Sequence, residues 1–239
     1  MKKKNKLAFV ALALCSLALA DEPGGVTKTE HVSFAPGGTI RFNKSFGDLF
    51  IDGWDQPDVE IRVVKWIPRQ EAERIMTPPG AWKTPDNAAG LMEGVRISTE
   101  HPSANELVIS TSIPSDGFRR HPLGGKGPVG VRYEVHVPAS SHLIVHHKGG
   151  QVQISNVSGG IEATDRDGDI VLMLLGPGPY AIDAKSRMGT VTSDFAGKPH
   201  FRIPFGESFA GDGNPSQRIF LRVGWGGITI KEIERADLP

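Results

Sequence analysis

The chain has 239 residues, with 27 Lys and Arg balancing 27 Asp and Glu, 29 glycines, 18 prolines and one cysteine. So much glycine and proline, with no long run of 3.6-residue apolar periodicity, excludes a helical bundle and points to an all-β chain. Even charge argues against general nucleic-acid binding, and a lone cysteine excludes a disulfide framework or a multi-thiolate zinc site.

The N-terminus reads as a targeting segment. Lys2, Lys3, Lys4 and Lys6 precede an apolar run of 14 residues from Leu7 to Ala20, and Ala18-Leu19-Ala20 suits signal peptidase, with cleavage after Ala20. As a helix the run rises about 21 Å, short of the ~30 Å hydrocarbon core, so it is read as a signal peptide and not as an anchor. Cys15 follows Leu14 where a lipoprotein box needs a small residue, so lipidation is the lesser reading. Removing residues 1–20 leaves 23 basic against 27 acidic side chains and no cysteine. No later segment is apolar enough to span a membrane, and the expected location is the periplasm, the cell surface or the medium.

In chain order, residues 21–30 read as a flexible leader. Strands are expected at 31–34 and 39–42, through Gly47-Asp-Leu-Phe-Ile-Asp-Gly-Trp54, and at 59–66, where Val59, Ile61 and Val63 share a face. One short helix is expected near 68–76, where Pro68 opens a run of helix formers. Residues 77–92 read as an irregular excursion. Strands resume at 94–99 and 106–113, and 114–130 is a long turn-rich loop. Val131 to Val137 alternates with Val131, Tyr133, Val135 and Val137 inward, and 142–147 is a further strand.

From Gly150 a glycine ladder begins: Gly150, Gly160, Gly168, Gly178 and Gly189 each open a short alternating run. Inward positions are Val152 and Ile154; Ile161 and Ala163; Ile170, Leu172 and Leu174; Tyr180, Ile182 and Ala184; and Val191. Gly38, Gly47 and Gly227 extend the ladder to both ends. Two runs make a coil of roughly 20 residues, the circuit of a narrow β-solenoid or β-roll. Residues 31–239 are read as one repeat-built β domain, with halves at 31–113 and 129–239 as the alternative.

Several motifs invite chemistry. Asp165, Asp167 and Asp169 would share one face of an extended strand and could offer oxygens to Ca²⁺, although the glycine position does not fit an EF-hand; a solvated turn is the plainer reading. His136, His142, His146 and His147 cluster in sequence, but His142 and His146 lie about 13 Å apart on one strand, too far for one metal. Gly206-Glu-Ser208-Phe-Ala-Gly211 misses the hydrolase elbow by one residue, and Gly124-Gly-Lys-Gly127 lacks P-loop spacing. Phe118, Arg119, Arg120, His121 and Lys126 make the 114–130 loop a basic candidate surface for an anionic partner. Trp54, Trp66, Trp82 and Trp225 could stack on sugars, but their places beside turns suit core capping better. No catalytic, cofactor or metal residue is assigned.

Gly47-Asp-Leu-Phe-Ile-Asp-Gly-Trp54, the Val131-Arg-Tyr-Glu-Val-His-Val-Pro138 strand with its following Gly150 and Gly160 repeats, and the closing Leu221-Arg-Val-Gly-Trp-Gly-Gly227-Ile-Thr-Ile-Lys231 stretch together resemble a bacterial "putative adhesin" β-strand-repeat family, over roughly residues 30–235. The resemblance implies an exported, solenoid-like β domain of unassigned function and supplies no catalytic residues or cofactor. The expected function is therefore a non-enzymatic envelope or surface protein, an adhesin, scaffold or binding module whose partner is a protein or glycan. A polysaccharide-active β-helix enzyme using Glu162, Asp165, Asp167 and Asp169 is one alternative, and an envelope-stress or regulatory partner protein is another.

Overall fold

Alternation of apolar and polar residues dictates the fold: each strand buries every second side chain. The computed structural model describes residues 25–67, 88–113, 129–178, 180–201 and 205–234. The expected helix at 68–76, the 114–128 part of the long loop and the signal segment lie outside them. The described chain is all-β apart from one helix, α1 (Ala88–Gly94), which falls partly in the stretch expected to be irregular. Lys65 donates to the carbonyls of Met92 and Val95, at 3.2 and 2.6 Å, and so satisfies groups that the end of α1 leaves unpaired.

The strands are β1 (Val26–Ser33), β2 (Thr39–Trp54), β3 (Asp58–Trp66), β4 (Arg96–Ser103), β5 (Glu106–Ser112), β6 (Gly130–Pro138), β7 (His142–Ser155), β8 (Ile161–Leu175), β9 (Tyr180–Met188), β10 (Val191–Ser193), β11 (Lys198–Phe201), β12 (Glu207–Gly211), β13 (Asn214–Trp225) and β14 (Ile228–Ile233). β1 starts at Val26, so part of the expected leader is an edge strand, paired antiparallel with β3. All fourteen belong to one sheet.

The long strands β2, β7 and β8 each serve twice, because a glycine bends them at the middle. Their first halves pair with β5, β13 and each other; their second halves pair with β6, β14 and each other. The sheet is thereby folded into two leaves. One leaf runs β4-β5-β2-β7-β8-β13-β9-β12-β11, and the other β1-β3-β6-β2-β7-β8-β14-β10. Register aligns apolar side chains into rows. Phe42, Val145, Ala163, Leu221, Ala184 and Phe209 line up on the first leaf, and Ile61, Val135, Ile51, Ile154, Leu172 and Ile230 on the second. All are buried, and both rows belong to one core cluster.

The ladder glycines divide into two kinds. Gly47, Gly150, Gly168, Gly226 and Gly189 sit at the bend and stack, each carbonyl facing the next glycine of the series. A Cβ on Gly150 or Gly168 would collide with the carbonyl of Gly47 or Gly150 respectively, and Gly150 also has φ +123°, which only glycine adopts readily. At the C-terminal end the bend falls on Gly226, not on Gly227 as the spacing suggested. Gly38 and Gly160 instead lead into strands at the opposite edge, where Gly38 and Gly160 carbonyls accept from His142 and Leu143 N–H.

Spatial order departs from chain order. β13–β14 lies between β8 and the β9–β10 pass, and β2 lies between β7 and the β5–β6 pass. The coil is not stacked in sequence as a simple solenoid would be.

Candidate functional site

A bend in a strand interrupts its ladder, and interrupted ladders leave carbonyls in need of donors. The inward residue three places before the bending glycine is polar in β7, β8 and β9, as His147, Asp165 and Ser186, and His147 and Ser186 answer this need. Ser45 takes the corresponding place in β2, displaced by a bulge at Lys44, whose φ is 60°. These four are among the few buried polar residues. His147 Nε2 lies 3.0 Å from the Gly47 carbonyl and Nδ1 lies 2.8 Å from Ser45 Oγ. A carbonyl only accepts, so Nε2 carries the proton and Nδ1 accepts from the serine hydroxyl. Burial holds His147 down at about 4 against its carbonyl partners, so it stays neutral. Ser186 Oγ donates to the Gly226 carbonyl at 2.7 Å.

Asp165 is the odd member of this row. Its Oδ1 accepts from Asp167 N–H at 3.2 Å, while Oδ2 is buried without a hydrogen-bond partner among the described residues. Burial raises its pKa to about 6, opposed by backbone N–H groups and assisted by Asp167 and Asp169. Serine, histidine and aspartate thus share a ladder row, but Ser45 is buried, the second ring nitrogen of His147 is held by the Gly47 carbonyl instead of a carboxylate, and Asp165 accepts from Asp167 N–H. The row closes the bend and does not form a nucleophile.

The other sequence candidates separate. The bend at Gly168 turns Asp165 inward and leaves Asp169 exposed, accepting from Gly227 N–H at 2.6 Å, so the three aspartates do not share a face. Glu162 is exposed on the face of β8 opposite buried Asp165. The histidines also part: His136 stacks on Trp54 with centroids 5.1 Å apart, His142 accepts from Gly160 N–H, His146 is exposed and His147 is buried. No group of three metal-ligating side chains occurs among the described residues. Ser208 lies in β12, paired to β9 and β11, with no elbow. Phe118, Arg119, Arg120, His121 and Lys126 lie outside the described residues.

Sequence reasoning missed a trough on the outer surface. One cavity of about 420 Å³ is lined by Thr164, Lys185, Arg187, Arg222 and Phe205 among others. A second, of about 450 Å³, shares Phe205 and adds Phe201, Glu207 and Trp225. Thr164, Arg222 and Lys185 are register neighbours on β8, β13 and β9. Trp225, expected to cap the core, is 60% exposed; Trp54 and Trp66 are half-buried, and Trp82 lies outside the described residues. The signal available beforehand was the outward alternation of Lys185, Arg187 and Arg222, split between repeats far apart in sequence.

No family model matches the chain, and no curated protein does. It is similar in structure to a "putative cell adhesion protein" from Clostridium sporogenes, at 13% identity and TM-score 0.46, over 87% of this chain and 100% of that one. It is also similar to a "putative adhesin" from Parabacteroides merdae, at 11% identity and TM-score 0.29, over 72% and 68% of the two chains. A "putative adhesin" from Bacteroides fragilis gives 11% identity and TM-score 0.25, over 86% and 97%.

Proposed function

We propose that the chain is an exported, non-enzymatic binding module of the cell envelope or surface, adhesive or scaffolding in role, built as one coiled, solenoid-like β unit over residues 31–239 after loss of residues 1–20. The observation that carries this reading is the open trough on the outer surface: aromatic and cationic side chains line it, while Asp165, His147 and Ser186 at the bend are buried and Asp167 and Asp169 turn to another face. That arrangement suits holding a partner better than transforming one, which needs acid and base converging on a single point. The basic segment with Phe118, Arg119, Arg120, His121 and Lys126 belongs to the same reading, as a second contact for an anionic partner.

The test is fractionation of cells producing the tagged chain, with attachment of a deletion strain measured beside it. Processing at Ala20, recovery from the envelope or medium and loss of attachment are expected. An unprocessed cytoplasmic protein would overturn the reading, as would a deletion that leaves attachment and envelope integrity unchanged.

A further inference from the structure

Three of the four large apolar side chains exposed among the described residues, Phe201, Phe205 and Trp225, belong to one surface feature. Their exposures are 71%, 63% and 60%, so the core explains none of them. Single exposed apolar residues are ordinary, but three around one trough mark a contact site.

The cations beside them form an ordered set. Arg222 on β13 lies between Thr164 on β8 and Lys185 on β9, and Arg187 follows Lys185 on the same outward row. Gly224 contributes only backbone where Arg166 and Arg187 flank it, which keeps the trough open. Of the acids nearby, Asp183 pairs with Arg222 at 2.7 Å, Glu207 accepts Val191 N–H at 2.9 Å, and Asp165, which also lines the first cavity, is buried beneath it. Lys185 and Arg187 have no ion pair among the described residues. The trough is therefore cationic toward Lys185 and Arg187, and aromatic toward Trp225 and Phe201, with Phe205 common to both parts.

From this geometry we infer that the trough binds an acidic polysaccharide, its sugar rings lying against Phe205 and Trp225 and its carboxylates meeting Lys185 and Arg187, while Arg222 is held by Asp183. Charge complementarity selects the anion, and a guanidinium fork suits carboxylates. Flat exposed rings supply apolar area to sugar faces at little entropic cost. An acidic peptide fits less well. The strands under the cationic part of the trough, β8, β13 and β9, are paired on both sides, so no free edge there offers the main-chain bonding of strand addition; the edge strand β11 borders only the aromatic part, through Phe201. A lipid surface is usually met by lysines and arginines clustered on an open face, whereas here the cations border a trough lined by aromatic rings. The inference deepens the binding-module reading and rests on it for a biological setting, although the binding itself is a property of the purified chain.

The test is calorimetric titration of the purified full chain with polygalacturonate, and with dextran, poly-glutamate, oligo-dT and phosphatidylglycerol vesicles as comparisons. Polygalacturonate binding that weakens with salt is expected, with dextran inert. Lys185→Ala/Arg187→Ala and Trp225→Ala should each weaken it about tenfold or more while leaving the melting temperature unchanged, and Lys28→Ala, on β1, should not. Phe205→Ala serves as the second aromatic variant should Trp225→Ala fail to fold. Absence of polygalacturonate binding overturns the inference. So does equal or tighter binding of poly-glutamate, oligo-dT or vesicles, or polygalacturonate binding indifferent to these substitutions. None of these results bears on envelope location or attachment, so the binding-module reading stands or falls separately.

Discussion

Asp165 and His147 are neighbours across the β7–β8 ladder, buried side by side, and burial drives their pKa values in opposite directions. Asp165 is raised from 3.8 to about 6, so between those values the folded chain holds a proton that the unfolded chain has lost. Stability from this group is present below pH 4 and falls as pH rises to 6. His147 is lowered from 6.5 to about 4, so over that window the unfolded chain holds the extra proton, and stability rises with pH. The two slopes oppose each other, and the wild-type profile from pH 4 to 6 should be nearly flat. Asp165→Asn removes one slope. The variant should gain about 2–3 kcal/mol at pH 7.5, and its stability should climb from pH 4 to 6.5. Urea titrations across that range decide the matter; parallel profiles for variant and wild type would show that Asp165 is not held protonated by burial.

At the scale of strands, the bend is the governing event. Both its glycine and its polar residue stand in the sequence, but periodicity marks only the glycine as part of a bend. Spacing exposed the ladder and alternation gave the inward rows, because both are local. The division of glycines into bends and strand entrances was not legible, since Gly150 and Gly160 open equally good alternating runs and differ only in which edge they occupy. The trough was illegible for a related reason: Lys185, Arg187 and Arg222 become neighbours only through parallel pairing of β9 with β13. The bend reading has a direct consequence. Gly150→Ala and Gly168→Ala each set a Cβ against a stacked backbone carbonyl with no room to retreat, and each should cost several kcal/mol, about 3 or more. Gly90→Ala lies in α1 with open space around it and should be neutral or stabilise by up to about 1 kcal/mol. Thermal melts of the three variants test the contrast, and a Gly168→Ala chain that melts with wild type would remove the stacked bend from the account.

For the whole molecule, the decisive feature is that the last-made coil is an interior one. In a stack built in chain order, the final pass would be a terminal rung, and removing it would expose one edge and leave the rest paired. Here β13 stands between β8 and β9, and β14 between β8 and β10. Ile219, Leu221, Val223, Ile228 and Ile230 from this pass are all buried. Without it, β9 and β10 lose the partners that join them to the rest of the sheet, and β12 and β11 lose theirs through β9. Folding should therefore await the C-terminal segment, with its long-range pairing. A chain ended at Gly213 should be insoluble or protease-sensitive beyond β8, whereas the full chain should resist protease and melt cooperatively. Limited proteolysis with circular dichroism distinguishes the cases. A stable, cooperatively melting chain ended at Gly213 would mean that β9 can pair with β8 directly, and that the coils can close up in sequence order after all.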